Sequence, residues 1–241
     1  MLFVESLLGT QVGSVPTTVS TIGTNALIWL SGDTVASLAD GTTVTTWTNL
    51  GVGGASYNVS ASVSIPTKTT FGGKPAIRFN TTNQVSYNLV TPVTLTGGNC
   101  TLVLVTKQSA SRVVALGGKT PNGSCFWGNA SNTGSAYLYR NTADTGWSPT
   151  TLASVAGHKV FCAQITGTTS VTYFDNSITP VSVSAPLTGT FIFGKVGARD
   201  YSGNNSQPSD GYIAEIMVFT SIVPVSTCQT LVDALKAKYG V

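Results

Sequence analysis

One carboxylate within an apolar run is the first candidate for chemistry in this sequence. Glu215 lies in GYIAEIMVF, residues 211–219, where every other residue is apolar or glycine. An unpaired carboxylate among apolar side chains is unfavourable, so it needs a cation, a hydrogen-bond donor or a water-lined concavity. Glu215 is therefore either a working group or a structural residue held by a partner.

The segment around Glu215 has the composition of a buried β-strand. Because successive side chains of a strand point to opposite faces, Glu215 should share a face with Ile213 and Met217. The candidate cation is Arg78, in the strand-like segment KPAIRFN. We predict a structural ion pair between Arg78 and Glu215. The alternatives are a carboxylate that faces a ligand and a catalytic carboxylate.

Aromatic residues in polar surroundings are the better candidates for ligand binding. The rings of Trp and Tyr present apolar faces that stack on the C–H surfaces of sugars, while nearby polar side chains bond the hydroxyl groups. The predicted ligand-binding residues, which lie in or beside segments rich in Gly, Ser, Asn and Thr, are Trp127, Tyr137, Tyr139, Arg140, Asn141, Trp147 and Tyr201. Trp47 is instead expected in the core.

Metal binding and catalysis have little support in the sequence. The loop GARDYSGNNSQPSDG carries Asp200 and Asp210, and oxygen-rich loops can hold Ca²⁺, but this one lacks the alternation of an EF-hand. The single histidine, His158, has no Gly-x-Ser-x-Gly segment to serve. No predicted strand carries on one face the two carboxylates that most glycosidases use. We predict no enzyme activity and no cofactor, with Ca²⁺ at the two aspartates as the alternative.

Composition excludes several classes of partner. Charged residues make up 9% of the 241 residues, against about 25% in ordinary soluble domains, and the net charge is +3. Without a run of Lys and Arg, nucleic acid is not an expected partner. No segment approaches the roughly 18 apolar residues of a membrane span, so we predict no membrane insertion. The start, MLFVESLLGT, has no basic region or cleavage site, so no signal peptide is predicted.

The four cysteines do not form a metal-binding pattern. None lies in a Cys-x-x-Cys motif or beside the histidine. Buried free thiols are the simpler interpretation, and three disulfide pairings remain open.

Strand signals separated by Gly, Asn or Pro recur from residue 26 onwards and predict an all-β fold. Near the end, Ser226 or Thr227 is a candidate helix N-cap, Leu235 belongs to a helically spaced apolar set, and Gly240 follows the last turn. We therefore predict one C-terminal helix. Residues 1–24 are predicted to be an N-terminal arm, a candidate docking segment, and residues 25–241 the folded domain.

Three segments in order resemble the concanavalin A-like lectin/glucanase superfamily, specifically its laminin-G-like modules. They are ALIWLSGDTVASLADGTTVTTWTNLG, FGGKPAIRFN and the closing GYIAEIMVF strand with the helix that ends in KYG. The resemblance implies a two-sheet antiparallel jelly-roll sandwich in which LIWL pairs with IAEIMVF. It also implies a structural Glu215, because the hydrolase branch carries a Glu-x-Asp-x-x-Glu strand that is missing here. Such modules are common in phage and bacterial surface proteins.

We therefore expect a non-enzymatic virion or surface module, such as a phage capsid decoration or tail-fibre protein, that binds a cell-surface or environmental glycan. Residues 1–24 would contact other virion proteins, and the protein would be a homo-oligomer or part of an assembly at the virion surface or outside the cell. One alternative is a glycan-degrading enzyme or an accessory domain of one. The other is a structural decoration protein without a ligand.

Overall fold

A computed structural model of the protein describes residues 17–62, 64–80, 82, 85–95, 99–108, 113–118, 125–130, 135–139, 158–166, 170–174, 181–184, 190–201 and 204–241. In chain order its strands are β1 Ile28–Ser31, β2 Thr46–Trp47, β3 Val59–Ala61, β4 Thr67–Phe71, β5 Lys74–Phe79, β6 Tyr87–Leu95, β7 Cys100–Gln108, β8 Val113–Gly117, β9 Cys125–Ala130, β10 Ser135–Tyr139, β11 His158–Thr166, β12 Ser170–Phe174, β13 Val181–Ser184, β14 Phe191–Val196, β15 Ala198–Tyr201, β16 Asn204–Pro208 and β17 Gly211–Phe219. Its α-helices are α1 Thr17–Gly23 and α2 Val225–Tyr239, and short 3-10 helices cover Gly32–Val35 and Gly54–Tyr57.

The described strands form two large antiparallel sheets and one small hairpin. The eight-stranded sheet has the order β13-β12-β11-β7-β17-β5-β4, with β1 also paired to β17. The seven-stranded sheet has the order β10-β9-β8-β14-β6-β3-β2, and β15 pairs with β16 in the hairpin. The predicted two-sheet sandwich with one C-terminal helix is therefore confirmed.

The first and last strands of the domain are neighbours, as the family resemblance implies. β1 pairs with β17 in the register Ile28 to Val218 and Ser31 to Glu215. Beside them, β4 and β5 form a tight hairpin around Gly72 and Gly73, whose φ angles are 56° and 69°. A two-residue loop with positive φ at both positions matches the twist of the flanking strands, which is why two glycines occur there.

The main core lies between the two sheets. Trp47 is fully buried there, as predicted, and its ring lies 6.3 Å from that of Tyr87. Phe79 meets Tyr87 edge-on at 5.9 Å, and the Tyr87 hydroxyl donates to the carbonyl of Val44 at 2.8 Å. Each such side chain contributes about 1.5–3 kcal/mol when it is buried. Packing and a satisfied hydroxyl therefore hold the two sheets together.

A second apolar layer covers the outward face of the eight-stranded sheet. Helix α2 contributes Leu231, Val232 and Leu235, and α1 contributes Val19, all buried. Gly240 ends α2 with a φ of 67°, as the sequence predicts for a C-cap. The helix begins at residue 225, before the predicted N-cap positions, and α1 was not predicted. Within the predicted arm, α1 thus packs on this layer through Val19, and residues 1–16 lie outside the described residues.

A β-bulge in β17 changes which side chains face the helices. The pairing of β17 with β7 shifts register between Ile213 and Glu215, which places Ala214 in the bulge. Ile213 packs in the core between the sheets, whereas Met217 packs in the layer under the helices. The prediction that Glu215 shares a face with Met217 and Ile213 is therefore half wrong, because a bulged residue reverses the alternation.

Candidate functional site

The outward face of the seven-stranded sheet carries one continuous line of directly opposed residues, here called the cross-strand row. From β10 to β2 its members are Tyr139, Cys125, Gly117, Lys195, Asn88, Ser60 and Thr46. Residues that are directly opposed in a sheet share a face. Ser60 and Thr46 are exposed, so this face is the outward one. Strands lie about 4.8 Å apart, so the row from Tyr139 to Asn88 spans roughly 19 Å.

The register also places three of the predicted aromatic residues on this face. Phe126 is opposite Leu116, which packs between the sheets. Alternation along β9 then puts Trp127 on the outward face. Tyr137 is directly opposite Trp127 in β10, and Tyr139 is two residues further along. Residues of two different strands are thus brought together at one end of the row.

The β15–β16 hairpin packs on the row at Gly117. Strand β14 ends at Val196, and the chain turns at Gly197, whose φ is 83°, into β15. A Cβ atom on Gly117 would lie 2.0 Å from the carbonyl oxygen of Ala198 and 2.7 Å from Cα of Arg199. Only glycine lets the hairpin come this close to β8. The start of the β15–β16 hairpin therefore lies over Gly117 and covers the row at that position.

A serine holds the base of this hairpin. The hydroxyl of Ser209 donates to the carbonyl oxygen of Val114 at 3.0 Å and accepts from the Val114 amide at 2.7 Å. The amide of Ser209 also donates to the carbonyl of Gly197 at 2.7 Å. Ser209 is fully buried. Ser209 thus joins one end of the hairpin to β8 and to Gly197 at the other end.

Two cationic side chains are buried in this region. Lys195, in the centre of the row, is 7% exposed, and Arg199, at the start of the hairpin, is 4% exposed. Beside Lys195, the buried Oδ1 of Asn88 has no hydrogen-bond partner among the described residues. The site thus combines aromatic positions, positive charge and an unfilled acceptor, which is chemistry for binding a polar ligand.

Other predicted ligand residues fall in different places. Tyr201 lies in β15, which is part of the β15–β16 hairpin. Arg140, Asn141 and Trp147 lie outside the described residues, so their roles stay predictions.

Glu215 lies in a closed cluster on the opposite side of the sandwich, beneath α2. Its carboxylate is fully buried. Oε2 accepts from the indole nitrogen of Trp29 at 2.8 Å. Oε1 accepts from Ser31 Oγ at 3.0 Å, Lys238 Nζ at 2.6 Å and the Tyr239 hydroxyl at 2.9 Å. We call these five residues the Glu215 cluster. All four donors come from the chain itself, so Glu215 is a structural residue.

The predicted ion pair between Arg78 and Glu215 is wrong. Lys238 of α2, not Arg78, pairs with Glu215. Arg78 is directly opposite Tyr212, and Tyr212 is three residues before Glu215 in the chain. The guanidinium of Arg78 lies 4.8 Å from the centre of the Tyr212 ring. It pairs with Asp210 at 3.0 Å. Asp210, one of the two candidate Ca²⁺ ligands in the sequence, is therefore the counter-ion of Arg78.

Burial and charge act against each other in the Glu215 cluster. Burial raises the pKa of the Glu215 carboxyl, although the ammonium of Lys238 opposes that rise. Burial lowers the pKa of Lys238, but the carboxylates of Glu215 and Asp33 outweigh it, so the net shift is upward. Lys238 also donates to Asp33. Burial, followed by the two carboxylates, raises the pKa of Tyr239 well above its usual value. The ammonium and the neutral phenol are thus the forms that the fold favours.

The described residues offer no group of three or more His, Cys, Asp or Glu side chains that could hold a metal ion. Asp200 lies in β15, where the structure describes its backbone. Cys100, Cys162 and Cys228 are buried free thiols, as predicted. Neither described helix is long and apolar enough to cross a lipid bilayer.

Sequence reasoning missed Lys195, Arg199, Asn88 and Gly117. Lys195 lies in GTFIFGKVG, and a lysine in such an apolar run is the same kind of signal that singled out Glu215. Gly117 and Asn88 have no comparable signal, because their roles depend on register across strands that are distant in sequence.

Comparisons with known proteins place the fold but not the family. No protein-family model matches the chain, and no curated protein sequence matches it. Among solved structures, a mutant of Trypanosoma rangeli sialidase displaying trans-sialidase activity is similar with a TM-score of 0.58 and 10% identity, over 94% of this chain and 34% of that one. Trypanosoma rangeli sialidase in complex with sialic acid gives 0.53 and 12%, over 94% and 34%. At these identities the likeness concerns the fold alone.

A third similar structure is the CBM40 of Ruminococcus gnavus IT-sialidase bound to alpha2,3 sialyllactose, with a TM-score of 0.43 and 15% identity over 56% of this chain and 83% of that one. This match is too partial to support an argument about the site. The chain spans about a third of the length of the Trypanosoma rangeli sialidases that it resembles.

Proposed function

We propose that this domain is a non-enzymatic glycan-binding module and that the cross-strand row is its binding face. The observation that carries the proposal is the placement of Trp127, Tyr137 and Tyr139 at one end of a single outward row that also contains Lys195 and Asn88. Aromatic rings supply apolar faces for sugar rings, and the polar residues of the row supply donors and acceptors for hydroxyl groups.

The described carboxylates support the non-enzymatic part of the proposal. Glu215 is enclosed by four donors of its own chain, and Asp210 pairs with Arg78. Asp33 pairs with Lys238, and Asp40 pairs with Lys68 at 2.5 Å. Most glycosidases hydrolyse a glycosidic bond with two carboxyl groups that flank it. These four carboxylates are instead engaged in structural pairs.

The similar sialidases favour one setting for such a module, which is an accessory domain joined to a glycan-degrading enzyme. In each of them the matched region is a minority of a longer chain. The virion setting, with capsid decoration or tail-fibre attachment through residues 1–24, remains the second candidate. It differs in its partner and not in the binding face.

Binding to a glycan array, with and without EDTA, tests the proposal. We expect retention of a defined set of glycans, and at least about tenfold weaker binding by Trp127→Ala, because a buried aromatic face contributes about 1.5–3 kcal/mol. Loss of binding in EDTA would point to Ca²⁺ as part of the site. Tyr212→Ala is the matched control, since Tyr212 is a half-buried aromatic residue on the other sheet.

Two results would contradict the proposal. One is an array with no retained glycan for a correctly folded protein. The other is equal retention by Trp127→Ala, Tyr137→Ala and the unmodified protein, which would remove the row as the binding face.

A further inference from the structure

Two of the buried free thiols lie together beneath the start of α2. Cys162 is in β11 and Cys228 is the fourth residue of α2, and both pack in the apolar layer between the eight-stranded sheet and the helices. The thiol of Cys162 is hydrogen-bonded to Cys228. Cys100 packs instead in the core on the opposite face of that sheet. Among the three cysteines whose side chains the structure describes, the fold therefore brings together one pair.

A glutamine side chain holds Cys228 against β11. Gln164 is two residues after Cys162 in the same strand, so the two side chains share a face. Its amide nitrogen Nε2 donates to Cys228 Sγ at 3.3 Å and also to the carbonyl oxygen of Val223. Cys228 Sγ lies 3.7 Å from the same carbonyl oxygen. The start of α2 and the residue before it are thus fixed over the strand that carries Cys162.

These contacts make the two thiols chemically unequal. The hydrogen bond with Cys162 lowers the pKa of Cys228, burial opposes that shift, and the bond from Gln164 adds to the lowering. The bond between the thiols, together with burial, raises the pKa of Cys162 well above its usual value. Because the thiolate is the nucleophile in thiol chemistry, Cys228 is the thiol that should attack first.

Opening of the first turn of α2 gives a small oxidant access to Cys228. The thiol itself is buried, but residues 224–226 are exposed, and Val225 is 47% exposed. Pro224, at the N-cap position, makes no side-chain bond to the helix. A helix end without a capping bond is less stable, and helix termini open more readily than the body of the fold. Burial of Cys228 therefore slows its oxidation without preventing it.

We propose that Cys162 and Cys228 form a disulfide that links β11 to α2, with a small-molecule disulfide such as oxidised glutathione as the oxidant. The Cys228 thiolate attacks one sulfur of the small disulfide, which leaves a mixed disulfide at Cys228 and releases one thiolate. The Cys162 thiolate then attacks Cys228 Sγ and releases the second thiolate. The protein thiols lose two electrons and two protons, and the small disulfide is reduced to two thiols.

Peptide mapping of the full chain tests the pair without any substitution. The native protein is equilibrated in glutathione buffers of rising oxidised fraction, free thiols are alkylated in denaturant, and unreduced digests are analysed by mass spectrometry. We expect a linked peptide that contains Cys162 and Cys228 and lacks two hydrogens, while Cys100 remains alkylated. The oxidised protein should also have a higher Tm than the reduced protein, because the disulfide constrains the unfolded chain.

Single substitutions then test the order of attack. In the same oxidising buffer, Cys162→Ala should accumulate a glutathione adduct at Cys228, because no second thiol displaces it, whereas Cys228→Ala should carry little adduct at Cys162. Both variants should lose the difference in Tm between oxidised and reduced protein. Cys100→Ala is the matched control, since it removes a buried thiol from the other core and should leave the disulfide in place. Cys228→Ser replaces Cys228→Ala if that variant does not fold.

Two results of the mapping would overturn the proposal. One is a native protein in which Cys162 and Cys228 are both alkylated at the highest oxidised fraction. The other is a disulfide that joins either of them to Cys100 or Cys125 instead. Equal glutathione adducts in Cys162→Ala and Cys228→Ala would overturn the assignment of Cys228 as the attacking thiol.

Discussion

The outward faces of the two sheets treat buried charge in opposite ways. Under α2, all four donors to Glu215 come from the chain itself, and Lys238 also reaches Asp33. On the seven-stranded sheet, Lys195 lies in an outward row beside an acceptor of Asn88 that no described residue fills. A buried charge whose polar neighbours are all satisfied holds a structure together. The unfilled acceptor of Asn88 belongs to the face on which we propose that a glycan binds.

The largest effect should come from Lys238→Met, which tests the closed side of this comparison. Removal of one partner of a buried ion pair leaves an uncompensated charge, here on Glu215, and typically costs 3–5 kcal/mol. We expect the free energy of unfolding to fall by about that amount, measured by urea denaturation at pH 7 with tryptophan fluorescence. Glycan binding by the folded variant should be unchanged.

Lys236→Met is the control for that substitution, because Lys236 is in the same last turn of α2 and is only partly buried. It should cost less than 1 kcal/mol, as is usual for surface charges. A loss below about 1 kcal/mol for Lys238→Met as well would show that the Glu215 cluster does not hold α2 in place.

A smaller effect on stability, but a direct one on the binding face, is expected for Gly117→Ala. The added Cβ would lie 2.0 Å from the carbonyl of Ala198, so the β15–β16 hairpin must move. Overpacking of this kind costs about 1–3 kcal/mol. Displacement of the hairpin should also weaken glycan binding. Differential scanning calorimetry and calorimetric titration measure the two consequences.

Gly41→Ala is the control that separates the effect of backbone strain from the effect of displacing the β15–β16 hairpin. Gly41 has a φ of 85°, and a Cβ there would meet nothing. It should lower stability by about 1–2 kcal/mol through strain while glycan binding stays unchanged. Equal glycan binding by Gly117→Ala and the unmodified protein would mean that the hairpin is not part of the site.

The smallest effect should appear at high pH, where the Glu215 cluster titrates. The pKa values of Lys238 and Tyr239 are raised in the fold, so above pH 10 the unfolded chain loses protons that the folded protein retains. Stability should therefore fall as pH rises above 10. Urea denaturation at pH 8 and pH 10.5 measures the fall, and Tyr239→Phe should make it smaller. A fall of the same size in Tyr239→Phe would remove that phenol as a cause.

Local sequence was sufficient to predict strands whose residues carry strong strand signals. KPAIRF became β5 as predicted, and the pairing of LIWL with the closing strand is present. Strand β6 was missed because YNLVTPVTL contains Pro92, which weakens a strand prediction. In the pairing of β6 with β14, Asn88 is opposite Lys195 and Val93 is opposite Phe193, so the register shifts between these two pairs. Residues 89–92 of β6 therefore form a bulge, and most of them are exposed.

The candidate site was harder to predict than the fold. The aromatic residues were found from their polar surroundings, but the row depends on six successive registers, and some of them join strands that are far apart in sequence. Lys238 was missed as the partner of Glu215 because a helix brings it over the strand and because the bulge at Ala214 changes the alternation. Such a bulge has no Gly or Pro to reveal it. The β15–β16 hairpin was read as a loop, since its polar composition lacks the apolar alternation of a strand.

The packing of α1 against α2 determines how this domain can be displayed. Both helices lie on the outward face of the eight-stranded sheet, and Val241, after α2, packs in the same layer. A tether joined to α1 or to α2 would therefore leave from the side opposite the cross-strand row. Whether the domain is anchored to an enzyme, to a larger particle or to a sensor chip, attachment through these helices leaves the proposed binding face directed away from its support.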